Sequence, residues 1–292
     1  MSARRAAFAF CAALFAGGAA GDASTVRVWS SVAGAPDWSA APAGDLLAIH
    51  NPWNHGDLAP GDRFETRLRL AGASPVAWLD VLTGPLTLGR GLPKGAPSLL
   101  LGAQFDYRSP ADPFAGAQGP GLSLAEIEEL SVRVATEDRS GPDASWAKAI
   151  QLYGFYAPPG PDWGASIDLD IQIRFASRDF PAPSSFSPSY AGDVGFGGRE
   201  WRVFDAALAA DAPERRYYIF KALFPPETPL QVDLRPFLAW IDRRERSLRA
   251  RPAPARFPGV SVWIEPRAGA IDTSIGDFGV RLNGRDYGAP AK

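Results

Sequence analysis

The sequence predicts an all-β protein, an antiparallel β-sandwich or jelly roll of two sheets. Three observations predict it. Apolar and polar residues alternate in one short run after another, Pro- and Gly-rich stretches separate the runs, and a single segment stands out with helical spacing.

Along the chain, the first element is a leader. Arg4 and Arg5 precede the apolar run from Ala6 to Ala16, and small residues continue through Ala20. Residues 1–20 therefore read as an export signal, with cleavage after Ala20 or Ala23. The run is too short to span a bilayer. Cys11, inside it, is the only cysteine, so the mature chain is expected to have no disulfide and no thiol site. These features predict a secreted or periplasmic protein with no membrane attachment after signal removal. Residues 24–288 are expected to form one β-sandwich domain, since no repeat or long linker divides them.

The first strong strand has Phe64, Thr66, Leu68 and Leu70 alternating with Arg63, Glu65, Arg67 and Arg69. Similar runs occur at Leu130 to Val134, Ala149 to Tyr156, Ile167 to Phe175, Arg216 to Phe220, Val260 to Pro266 and Phe278 to Leu282. In the helical segment Asp233 is a good N-cap and Pro236 falls in the tolerated first turn. Phe237, Leu238, Trp240, Ile241 and Leu248 form its apolar stripe. It is expected to be an outer helix against one sheet, with Trp240 in the core. The Arg- and Pro-rich tract from Arg243 to Pro258 reads as a surface connection.

Charge and motifs exclude several functions. The net charge of −2 becomes −4 once Arg4 and Arg5 leave with the signal, which is no footprint for nucleic acid. His50 and His55 are the only histidines, no residue cluster has metal-ligand spacing, and there is no Gly-x-Ser-x-Gly elbow. Gly195-Phe196-Gly197-Gly198 reads as a loop rather than a phosphate cradle. No metal or cofactor is expected. Neutral, hydroxyl-rich partners such as polysaccharides fit better, and the chain is expected to be a monomer.

Two runs carry carboxylates on a polar face. Asp168, Asp170, Gln172 and Arg174 share one side of their strand, opposite Ile167, Leu169, Ile171, Ile173 and Phe175. Trp263 and Glu265 share a side opposite Val260, Val262 and Ile264. Carboxylates and an indole projecting from a sheet suit sugar cleavage, with one carboxyl as nucleophile, one as general acid/base and a ring as platform.

These runs lie in an ordered series. Ile49-His50-Asn51-Pro52-Trp53-Asn54 comes first, then Pro97-Ser98 through Gly102, then the Asp170 strand. The helix opening Asp233-Leu234-Arg235-Pro236-Phe237-Leu238 follows, and Trp263-Ile264-Glu265-Pro266 with Gly269 closes the set. The series, over roughly residues 45 to 285, resembles glycoside hydrolase family 12, the jelly-roll endoglucanases and xyloglucanases. That resemblance implies a concanavalin-like sandwich with a concave cleft, and endo-cleavage of β-1,4-glucan (cellulose, β-glucan or xyloglucan) with retention. Glu265 matches the acid/base and Asp170 the nucleophile, with Asp168 the alternative if the register shifts by two. Trp53 matches the sugar-stacking tryptophan. The substrate-binding set is then Trp53, Asn51, His50, Trp263, Gln151, Gln172 and Arg174.

The chain departs from that pattern. Gln151 stands where an aspartate supports the nucleophile, Arg174 replaces a tryptophan, and Asn51-Pro52 replaces paired asparagines. A neighbouring Arg174 is expected to lower the Asp170 pKa. The departures leave other readings open: a glycan-binding protein without turnover, a jelly-roll lyase with Arg174 neutralising a uronate, or a structural envelope protein. A longer gap between the carboxyls would favour inversion over retention.

Overall fold

In the computed structural model of the chain, the residues described are 26–71, 76–89, 92–116, 119–159, 166–180, 189–209, 212–248 and 254–288. The leader read at residues 1–20 lies outside them. The principal strands are β1 (Val26–Val32), β2 (Ala40–Ala43), β3 (Leu46–Ile49), β4 (Arg63–Ala71), β5 (Val76–Thr83), β6 (Ser98–Gln104), β7 (Tyr107–Arg108) and β8 (Leu130–Asp138). They continue with β9 (Ser145–Gly154), β10 (Leu169–Arg178), β11 (Ser189–Phe196), β12 (Arg199–Ala209), β13 (Ala212–Ala222) and β14 (Leu230–Asp233). The helix α1 (Arg235–Leu248) comes next, then β15 (Gly259–Ala268), β16 (Asp272–Leu282) and β17 (Arg285–Gly288).

Two sheets result. A 7-stranded sheet runs β1-β4-β5-β16-β8-β14, with β17 on β16. A 10-stranded sheet runs β11-β12-β13-β10-β9-β15-β6-β3-β2, with β7 on β6. The pairs are antiparallel except β10 with β13, which run parallel and set Asp170 beside Tyr217. Alternation then sorts the side chains of the larger sheet. Val260, Val262, Ile264, Ile150, Leu152, Ile171, Ile173 and Phe220 turn inward to meet Phe64, Leu68, Leu79, Val132 and Phe278 of the smaller sheet in one core. Glu265, Gln151, Asp170, Gln172, Arg174 and Tyr217 consequently turn to the outer face.

The helix takes up the inner face of the larger sheet beyond the edge strand β14. Phe237 packs edge-on against Trp201 and Phe220, with centroids at 5.1 and 5.0 Å, and Trp240 lies against Tyr218 and Phe220. The Arg235 amide donates to Asp233 Oδ1 at 3.0 Å, which caps the first turn. The tract read as surface connection from Arg243 begins inside this helix. Its Glu245 is buried and accepts from Tyr218 Oη at 2.5 Å and Tyr156 Oη at 3.2 Å. Two phenol donors satisfy a carboxylate that would otherwise be costly to bury.

Candidate active site on the outer face of the larger sheet

The site is built from β15, β9, β10 and β13. Glu265 on β15 is level with Ala147 on β9, Arg174 on β10 is level with Ala149, and Gln172 pairs with Gln151. Asp170 is level with Tyr153. Glu265 and Asp170 thus stand on the strands to either side of β9, level with Ala147 and Tyr153, and Arg174 lies at a level between them. The Arg174 guanidinium donates to Gln172 Oε1 from Nε at 3.0 Å and from Nη2 at 2.8 Å, and to Tyr217 Oη at 3.2 Å. Its Nη2 lies 3.8 Å from Glu265 Oε2, and Phe180 lies across its other side at 5.1 Å. Gln151 Nε2 donates to Asp170 Oδ1 at 2.9 Å.

Burial governs the electrostatics. Glu265, Arg174, Gln172, Gln151 and Tyr217 are all buried. Loss of hydration raises the Glu265 pKa to about 7 against the pull of Arg174, and the Asp170 charge adds to the rise. Asp170 is likewise raised to about 7 by burial, opposed by the Gln151 hydrogen bond and by Arg174. The expectation that Arg174 lowers the Asp170 pKa is thus corrected in sign, because desolvation outweighs the cation. Tyr153 and Tyr217 are pushed well up by burial and by the nearby carboxylates, so both phenols keep their protons.

A stability prediction follows from these values. Between the ordinary carboxyl range and about 7, the folded protein holds protons on Asp170 and Glu265 that the unfolded chain has released. Their contribution to stability therefore falls as pH rises through that window. Asp170→Asn keeps an oxygen for Gln151 and removes the charge. Its Tm advantage over wild type is expected to grow from about pH 4 to about pH 7 and then level off. An advantage that shrinks with rising pH in thermal melts would mean that the site prefers the ionised carboxylate.

The loops at the Glu265 end are stitched together by backbone hydrogen bonds. Residues 93–97 lie along β15, with the Lys94 amide donating to the Pro266 carbonyl at 2.7 Å and the Ile264 amide to that of Pro97 at 3.1 Å. The Ala96 amide in turn donates to the Asn51 carbonyl at 2.9 Å, and Asn54 Nδ2 donates to the Pro93 carbonyl at 2.8 Å. This brings the Asn51–Trp53 segment to the Glu265 end of the face. Asn51 takes a left-handed φ of 44°, which Asn tolerates better than most residues, and its Nδ2 donates to the Ala96 carbonyl. Trp53 is 45% exposed at this end. Gly269, downstream of Glu265, has φ 76°, and a Cβ there would meet the Asp143 carbonyl oxygen at 2.4 Å, so only glycine fits.

Three candidates are corrected by their surroundings. His50 is fully buried, with Nε2 2.9 Å from Ser31 Oγ, Nδ1 2.7 Å from Thr66 Oγ1 and its ring stacked on Phe64, so it is no contact for a substrate hydroxyl. Burial lowers its pKa to about 4, and it stays neutral at neutral pH. Trp263 does face outward, yet it is 1% exposed and packed among Ala147, Ala149, Ala96 and Phe180, which makes it floor rather than platform. The Asp168 carboxylate accepts the Tyr156 amide at 2.8 Å, holding the entry to β10 instead of joining the cluster. Sequence reasoning missed Tyr217 and Tyr153. Their alternation was visible, but the pairing that sets them beside Asp170 was not. Among the described residues no group of His, Cys, Asp and Glu could hold a metal ion, and no helix is long and apolar enough to cross a membrane.

No family model matches the sequence, and no curated protein matches it either. Solved structures do. A native family 12 xyloglucanase from Bacillus licheniformis superimposes with a TM-score of 0.67 at 13% identity, over 88% of this chain and 100% of that one. Endoglucanase 3 of family GH12 from Trichoderma harzianum gives 0.65 at 13% identity, over 88% of this chain and 98% of that one. The catalytic domain of Humicola grisea Cel12A, solved with a soaked thio-cellotetraose, gives 0.65 at 14% identity, over 89% of this chain and 99% of that one. At such identities the likeness establishes architecture and nothing finer. The chain has the β-sandwich fold of the family 12 glycoside hydrolases, in a divergent sequence.

Proposed function

We propose that this chain is an exported, endo-acting glycoside hydrolase that cleaves β-1,4-linked glucan, as cellulose, β-glucan or xyloglucan, with retention. The observation that carries the proposal is the Glu265–Arg174–Asp170 cluster, two carboxyls raised to about 7 on the outer face of a glycosidase-type sandwich. Glu265, protonated, donates its proton to the leaving sugar oxygen and later takes one from water. Asp170, ionised, attacks the anomeric carbon. Arg174 favours the ionised form of Asp170, and that charge helps Glu265 keep its proton. Trp53 offers an exposed ring for stacking on sugar C–H faces, and Asn51 and Gln172 contribute polar contacts. The enzyme acts as a monomer, without metal or cofactor.

The test is a reducing-end assay of the signal-free protein on cellulose, barley β-glucan and xyloglucan, with proton NMR of the first product. New reducing ends released as the β-anomer are the expected result. An α-anomer released first would remove the nucleophile role from Asp170 and leave it as a base for water. A second reading has an observation of its own. Gln151 supplies an amide to Asp170 where a charge would otherwise stand, which suits a glycan-binding protein without turnover. Saturable binding with no reducing ends on any of the three polymers would favour that reading.

A further inference from the structure

The outer face of the larger sheet has two chemically different ends. At one, Leu47, Ile49 and Leu100 form a buried apolar cluster with Tyr107 packed against it. At the other, cations line up across adjacent strands. Arg174 on β10 is in register with Lys221 on β13, and Lys221 is in register with Arg202 on β12. Alternation puts all three on the outer face, because Tyr218, Phe220, Trp201 and Val203 beside them turn inward. The row spans roughly 10 Å at the usual strand spacing.

The members of the row are held differently. Arg174 is buried and tied to Gln172 and Tyr217 through Nε and Nη2, and its Nη1 makes no hydrogen bond among the described residues. Arg202 is exposed, paired with Asp193 at 3.1 Å and set 5.6 Å from the Tyr190 ring, which is itself 60% exposed. Lys221 between them is exposed and has no ion pair among the described residues. That is unusual here, since most arginines on this net-acidic chain stand beside a carboxylate.

We propose that the wing formed by β10, β13 and β12 is a subsite for an acidic sugar, binding the carboxylate of a uronate that flanks the bond under attack. The substrate class is then a β-linked glycan carrying both neutral and uronate residues. The neutral stretch lies over Trp53, and the uronate lies over Lys221 and beside Arg174 Nη1. A guanidinium edge in a poorly hydrated site matches a planar carboxylate better than a neutral hydroxyl, and charge-assisted hydrogen bonds are the stronger kind. Tyr190 adds a ring face beside Arg202. This inference rests on the glycan-cleft reading and adds the sign of the substrate's charge.

The probes are matched soluble β-1,4-glucan chains, one neutral and one with part of its C6 hydroxyls oxidised to carboxylates. Binding is read by affinity electrophoresis and cleavage by reducing ends, at low and at high salt. Wild type is expected to bind the carboxylated chain on the order of 10-fold more tightly at low salt, with the preference shrinking as salt screens the exposed cations. The double variant Lys221→Gln/Arg202→Gln, altered only at exposed side chains, should bring the ratio of the two affinities close to one. Arg63→Gln/Arg67→Gln, with the same charge change on β4, should keep the preference. Equal affinity of wild type for both chains overturns the proposal, as does a preference that survives in Lys221→Gln/Arg202→Gln or falls equally in Arg63→Gln/Arg67→Gln. Preferential binding without reducing ends from either chain supports the subsite and removes the hydrolase. Cleavage of the neutral chain with no preference removes the subsite and leaves the hydrolase standing.

Discussion

Glu265→Gln is expected to reduce the rate of reducing-end release by about 10²–10⁴-fold while the protein still folds. Glutamine keeps the shape and one oxygen of the side chain but has no acidic proton to give to the leaving oxygen. The replacement also removes a buried carboxyl whose ionisation burial opposes, so the folded state should lose nothing at neutral pH. The two readouts separate chemistry from stability: activity disappears while circular dichroism and Tm hold or improve. Undiminished activity in this variant would sink the acid/base assignment, and with it the present proposal for Asp170. Arg174 loses a partner 3.8 Å away in the variant but keeps Gln172 and Tyr217, so the cluster should not rearrange.

Lys94→Met is expected to destabilise the protein by about 3–5 kcal/mol, the usual range for breaking a buried ion pair from one side. Lys94 is fully buried and its Nζ donates to Asp57 Oδ2 at 2.6 Å and to the Asp57 carbonyl at 2.8 Å. Without the ammonium, the Asp57 carboxylate stays buried beside an apolar chain. For a protein of this size that is a fall in Tm on the order of 10 °C. Adding Asp57→Asn removes the charge that Lys94 balanced and should recover part of the loss, which a double-mutant cycle measures. The same change bears on the site, since Lys94 lies in the loop whose backbone runs along β15 at Glu265. A Tm within 2 °C of wild type, well below the loss expected from a broken buried pair, would show that this pair does not secure the loop.

Much of the architecture was legible because strand patterning is local. Phe64, Thr66 and Leu68 declare which side of β4 is buried, and Ile171 and Ile173 do the same for β10, whatever strands come to lie beside them. The helix announced itself through Asp233 and the Phe237–Leu238–Ile241 stripe, both intrinsic to a short segment. The outward orientation of Glu265, Asp170 and Arg174 came from the same alternation.

The sequence by itself therefore determined which residues face which way, and through that the all-β class and the membership of a polar outer face. Only the tertiary structure decided who stands beside whom. Alternation has no term for the neighbouring strand, so it could not put Tyr217 next to Asp170, align Lys221 with Arg174 and Arg202, or join Lys94 to Asp57 across 37 residues. Nor could it weigh burial against charge. Asp170 beside an arginine reads as an acid lowered in pKa, and only the packing of β9, β10 and β13 shows that lost hydration wins. His50 and Trp263 make the same point in reverse. Both are of a type that binds sugars, and both are buried where neighbouring elements occupy the space a ligand would need.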